Sequence, residues 1–164
     1  MRVNTKKLAM MGMFAALAMI FGYVEALLPL SIGVPGVKLG IANIVVVFAL
    51  YRLRPSEALL INVIRILLTG FLFGNLSMTI YSLAGAIFSF FGMLLVKNSE
   101  KFSIYGVSVV GGVCHNLGQL LVAMLVLETS ALIYYGPVLL ICGLVTGILI
   151  GILGNEVLKR IGTF

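Results

Sequence analysis

Apolar runs separated by charged, polar or helix-breaking residues follow one another along the whole chain. They predict six helical spans, at about 8–28, 39–51, 56–73, 76–96, 103–127 and 131–158. The breakers are plain. The segment from Pro29 to Lys38 holds two Pro and two Gly. Arg52, Leu53, Arg54 and Pro55 form a basic stop. Gly74–Asn75 reads as a tight turn, Lys97 to Lys101 is charged, and Glu128–Thr129–Ser130 is short and polar. Pro137 is expected to start the last helix proper, after an interfacial Tyr134–Tyr135 pair. The second span is short. About 12 helical residues give roughly 18–20 Å against a hydrocarbon core of about 30 Å. The Pro/Gly-rich segment before it is therefore expected to dip into the membrane, where irregular backbone must be shielded by protein or line a cavity.

Composition turns this pattern into a class. Of 164 residues, 62% are hydrophobic and only 10% charged. A soluble domain of this size could not hide so much apolar surface. The expected fold is all-α: one polytopic transmembrane domain over residues 1–164, a six-helix bundle. Arg2, Lys6 and Lys7 before an apolar run could suggest a secretory signal, but the run continues to about Leu28 with no cleavage-like site, so it reads as a membrane helix. Cys114 and Cys142 both fall inside apolar runs and read as packing residues.

The net charge of +6 does not point to nucleic acid, because Lys and Arg sit at segment ends without an interleaved aromatic face. Their positions set an orientation instead. With a cytoplasmic amino terminus, Arg2, Lys6, Lys7, Arg52, Arg54, Lys97, Lys101, Lys159 and Arg160 all lie inside, nine of eleven basic residues. The positive-inside rule then places both termini in the cytoplasm of a multi-pass protein. The loops on that side are a few residues long and carry no ATP-binding loop of the GxxxxGK[ST] type.

Candidate chemistry lies in the few polar residues at depth. Arg65 sits within the apolar stretch from Ala58 to Phe73, roughly 11 Å from the outer end of its span. A guanidinium stays ionised, and at bilayer depth it costs several kcal/mol (about 2.5 or more), so it must face something other than lipid. Asn62, one turn away, shares its face. Arg65 either forms a structural ion pair with Glu25 or meets a ligand, and the second reading is the stronger because intramembrane ionisable groups usually mark a site or pathway. Lys38 precedes span two at the level of Glu25. It opposes the helix dipole and calls for an anionic partner, either Glu25 or a ligand, unless both residues simply snorkel to water. Glycines in the string from Pro35 to Asn43 allow close backbone approach, and free N–H groups at a helix start attract anions.

Span five adds His115, Asn116 and Gln119. His115 and Gln119 share a helical face and Asn116 adjoins it. They read as interhelical hydrogen bonds or as a hydrogen-bonding wall for a ligand. No metal constellation, catalytic nucleophile or cofactor motif joins them. Gly143, Gly147 and Gly151 recur every fourth residue in span six, and Gly12 with Ala16, then Ala18 with Gly22, do the same in span one. Such faces pack closely, either within the bundle or against a partner subunit.

Several of these residues, taken in order, bear a resemblance to a known family. Glu25, Pro29, the run from Pro35 to Asn43, Arg65, Ser82–Leu83–Ala84–Gly85–Ala86 and His115–Asn116–Leu117–Gly118–Gln119 resemble the bacterial Gx transporter family. Its members are often named heptaprenyl diphosphate synthase component I. That family is similar to the S components of energy-coupling factor (ECF) transporters: six-helix proteins of the bacterial plasma membrane that bind a nutrient from outside and engage a transmembrane coupling subunit and two ATPases. The resemblance implies substrate capture by Glu25, Lys38, Asn43, Asn62, Arg65, His115, Asn116 and Gln119, and docking through Gly12, Ala16, Gly143, Gly147 and Gly151. Lys38 and Arg65 against Glu25 favour an acid or phosphate. S components often carry Ala-x-x-x-Ala in the first helix, where this chain has Gly12-x-x-x-Ala16. The synthase name has no chemical echo, since soluble prenyl synthases use Asp-rich motifs and every acidic residue here is Glu. An enzyme is therefore not expected. A non-transporting membrane subunit of an isoprenoid, quinone or flavin-related enzyme system is the alternative.

Overall fold

The computed structural model describes residues 5–27 and 40–161. The helices are α1 (Thr5–Leu27), α2 (Asn43–Arg52), α3 (Pro55–Phe73), α4 (Leu76–Asn98), α5 (Ile104–Val126) and α6 (Gly136–Ile161), with a 3-10 segment, Ser130–Tyr135, leading into α6. Lys38 and the rest of the Pro/Gly-rich segment lie outside the described residues. Local sequence explains the boundaries. Pro55 opens α3, where its missing N–H costs nothing, and Glu57 accepts the Arg54 N–H at 3.1 Å. Asn75 caps α4 by accepting the Met78 N–H at 2.8 Å. The Gly74–Asn75 link is too short to do anything but turn α4 back along α3.

Among the described residues, five helices are long and apolar enough to cross a membrane; α2 is not. The second of the six predicted spans, expected to be short, is the one below membrane length. At 10 residues, α2 is about 15 Å long, half a hydrocarbon core. It is apolar all round, and Asn43 and Val45 to Leu50 are buried. It packs against α1, α3, α4, α5 and α6 and forms the bundle's core. The longer helices carry the outward apolar surface instead, with Ile20, Phe71, Leu95 and Ile141 among many exposed large side chains.

Basic residues gather at one end. There Lys7 pairs with Glu57 at 2.6 Å, Arg52 donates to the Leu158 carbonyl, and Lys97 donates to the Leu50 carbonyl. Above this end lies an apolar core of Phe14, Val45 to Leu50, Ile61, Phe90, Met93, Val107 and Ile150. A smaller apolar cluster, Tyr81, Leu120, Ala123 and Leu139, sits nearer the opposite end. The polar residues form a layer between them.

Helix α5 is sandwiched between α4 and α6. Its contact with α6 is backbone on backbone. A Cβ at Gly112 would lie 2.3 Å from the Gly143 carbonyl oxygen, and one at Gly147 would lie 2.6 Å from Val109 Cα. Gly151 likewise faces Tyr105. The α6 glycine face therefore packs inside the bundle, and the reading of Gly143, Gly147 and Gly151 as docking positions is corrected to internal packing. Gly12 and Ala16 differ: both are exposed, and nothing lies within 4 Å of a Cβ placed at Gly12.

Candidate functional site

Seven of the eight residues singled out for ligand contact are described, and all seven are buried: Glu25, Asn43, Asn62, Arg65, His115, Asn116 and Gln119. They occupy the layer between the two apolar cores. The start of α2 organises it. Gly40, with φ +81°, turns the chain into the helix beside Asn43 and His115. A Cβ there would sit 2.9 Å from His115 Cδ2, so both the backbone angle and the space require glycine. His115 stands at the middle of the 23-residue α5. Helix α2 thus begins near mid-depth, and its positive dipole end lies within the polar layer, with the N–H groups of Asn43, Ile44 and Val45 bonded to the carbonyls of Gly40, Ile41 and Ala42.

Glu25 answers that end. Its Oε1 accepts the N–H of Gly40 and, at 3.3 Å, that of Ile41. Sequence reasoning offered Glu25 a cation as partner; besides its interaction with Arg65, the structure shows it holding the Gly40–Ile41 backbone of the turn that leads into α2, whose N-cap Ala42 has no side-chain acceptor. Across α3, Arg65 Nη2 donates to Asn62 Oδ1 at 2.6 Å, and the Arg65 charge interacts with that of Glu25. On α5, the Gln119 amide meets His115 Nε2 at 3.1 Å, and Asn116 Nδ2 donates to the Leu139 carbonyl at 2.7 Å. The Gly85 backbone allows His115 and Gln119 to lie against α4.

Much hydrogen-bonding capacity in this layer is unused. Among the described residues, both amide atoms of Asn43, Asn62 Nδ2, Arg65 Nε, Thr69 Oγ1 and Asn116 Oδ1 are buried without a hydrogen-bond partner. Such groups are rare in packed interiors, since each costs about 1–3 kcal/mol. Among the described residues this layer is tightly packed. Arg65 borders a cleft between α3 and α4 with room for about one water molecule. The larger grooves, such as the one along Phe14, Phe21 and Phe48, are apolar and open to lipid.

Two residues of the layer were missed by sequence reasoning. Thr69 follows Asn62 and Arg65 on the same face of α3, and that spacing could have revealed it. Ser82 is buried on α4, within a stretch noted only for its resemblance. Among the described residues, no group of three or more His, Cys, Asp or Glu is placed to hold a metal ion.

An all-helical bundle with five membrane-length apolar helices around a buried polar layer defines a multi-pass membrane protein. The chain belongs to the heptaprenyl diphosphate synthase component I family, which matches it over residues 14–157. No curated protein and no solved structure matches it.

Proposed function

We propose that the protein is a membrane-embedded substrate-binding subunit, of the S-component kind found in ECF importers, which captures a small polar or anionic nutrient or precursor from outside the cell. In this reading α2 and the segment before it complete a six-helix arrangement in the bacterial plasma membrane, with both termini cytoplasmic. The observation that carries the proposal is the half-length helix α2. Its start lies at mid-depth beside Arg65, Glu25 and His115, with both amide atoms of Asn43 unpartnered among the described residues. Broken helices whose ends meet polar groups at the bilayer midplane are a recurring device for holding polar solutes. Asn62, Asn116 and Gln119 supply further hydrogen bonds, and Lys38 adds positive charge. Capture requires a path from the medium to this buried layer. The exposed face of α1 at Gly12 and Ala16 then receives a transmembrane coupling subunit driven by ATPases.

The family description favours a second reading: a non-catalytic membrane subunit that works with another component of an isoprenoid-forming, quinone- or flavin-related enzyme. Co-purification separates the two. An ATPase with a coupling protein supports capture, and a prenyltransferase or redox enzyme supports the alternative. The direct test is native mass spectrometry of gently purified protein. The wild type should retain a small polar molecule, and Arg65→Ala should lose it while still inserting and folding. Retention by Arg65→Ala at wild-type affinity rules out the role given to this arginine.

A further inference from the structure

The cleft between α3 and α4 has a chemistry of its own. Arg65 and Thr69 of α3 face Thr79 and Ser82 of α4 across a space for about one water molecule. Arg65 is 6% exposed and permanently charged, and its Nε–H has no partner among the described residues. Thr69 is 4% exposed and its hydroxyl is likewise unpartnered. Ser82 adds a second hydroxyl, whereas Thr79 gives its proton to the Asn75 carbonyl at 2.9 Å. No carboxylate lines the cleft among the described residues, and Glu25 Oε1 is engaged by backbone N–H groups. Donors and a fixed positive charge thus border a small space, with the Thr69 hydroxyl between the cleft and Gly22 of α1. The Arg65 charge interacts with that of Glu25, but Glu25 does not line the cleft, so the donors that border it lack an anionic acceptor there among the described residues.

We propose that this cleft is an anion subsite. It takes one compact, singly charged group: a halide ion, or the carboxylate end of the captured molecule. Arg65 supplies the charge, and the hydroxyls of Thr69 and Ser82 complete the ring of donors. Size sets the selectivity, since a space for one water admits a halide or a carboxylate oxygen but not a tetrahedral oxyanion. The mouth is tight as well. A Cβ at Gly70 would fall 2.0 Å from Thr79 Oγ1, so the two helices touch between the Gly74–Asn75 link and Arg65. The carboxylate source rests on the capture reading; the halide source does not.

Thermal unfolding of the purified full chain in detergent tests the subsite, at constant ionic strength in sodium gluconate, sulfate, chloride, bromide or formate. Chloride, bromide and formate should raise the midpoint by about 3 °C or more in a saturable way, while sulfate and gluconate should not. Crystals grown in bromide should show an anomalous peak between Thr69 and Ser82. The double variant Thr69→Val/Ser82→Ala should lose the anion response, and Thr69→Ser alone should keep it. Equal midpoints in all five salts, or an undiminished response in the double variant, overturns the proposal; should that variant fail to fold, the bromide peak in the wild type decides. Competition between bromide and a retained molecule assigns the subsite to the ligand's carboxylate, and independent binding assigns it to a free halide. Should halides have no effect while Arg65→Ala still loses the retained molecule, the subsite falls and capture stands. Should halides bind while Arg65→Ala keeps the molecule, capture falls and the subsite stands.

Discussion

Glu25 accepts the backbone N–H of Gly40, fifteen residues on, and so fastens the far end of α1 to the start of α2. Its second bond, to Ile41 N–H, makes this one carboxylate the cap of the turn that leads into a helix with no side-chain cap of its own. The site is 8% exposed at Glu25, so water is a poor substitute. Hydrogen bonds to a charged group contribute about 1.5–3 kcal/mol each, and buried orphaned N–H groups keep their desolvation cost. Glu25→Ala should therefore lower stability by about 2–3 kcal/mol, seen as a lower unfolding midpoint in detergent. Glu25→Gln keeps an acceptor oxygen and should lose roughly half as much. Equal, wild-type midpoints for both variants would show that α2 does not depend on this cap.

The small residues divide into two kinds, and substitution should separate them. At Gly112 a methyl group would collide with the Gly143 carbonyl, a backbone atom that cannot swing aside. Gly112→Ala should force α5 and α6 apart and cost about 1–3 kcal/mol, the usual range for overpacking. At Gly12 the same substitution meets open space and should change stability by less than about 0.5 kcal/mol. The larger Gly12→Leu should leave folding intact yet reduce recovery of any co-purifying membrane subunit. Loss of stability in both glycine-to-alanine variants would mean that α1 is also covered within the bundle.

These contrasts show where the sequence speaks and where it stops. The ends of α3, α4 and α5 were readable to within two residues, because Pro55, the Gly74–Asn75 link and the polar segment after Asn98 interrupt apolar runs of membrane length. The shortness of α2 was readable too, from the distance between Lys38 and Arg52. The backbone partners of Glu25 were not. Charge patterning weighs only charges, and here a carboxylate is taken by backbone N–H groups that every residue but proline carries. Nor could glycine spacing say which surface Gly143 meets, since a flat helix face suits an internal neighbour as well as an external one. Thr69 was overlooked for a related reason: threonine in a membrane helix often bonds its own backbone, as Thr146 does to Cys142 here, and so its type alone signals little.

Sidedness bears on all of this, because capture from the medium needs the Arg65 cleft to open outward. Ser99 and Ser130 flank α5, both exposed, and its 23 residues separate them by about 34 Å. They must therefore lie on opposite membrane faces. Lys97, Lys101, Lys159 and Arg160 share the Ser99 end, and positive charge favours the cytoplasm by translocation rather than by fold. In a background of Cys114→Ala and Cys142→Ala, Ser130→Cys should react with a membrane-impermeant maleimide on intact cells. Ser99→Cys should react only after permeabilisation. The reverse pattern would turn the cleft towards the cytoplasm, where no external solute could reach Arg65, and capture from outside would no longer be tenable.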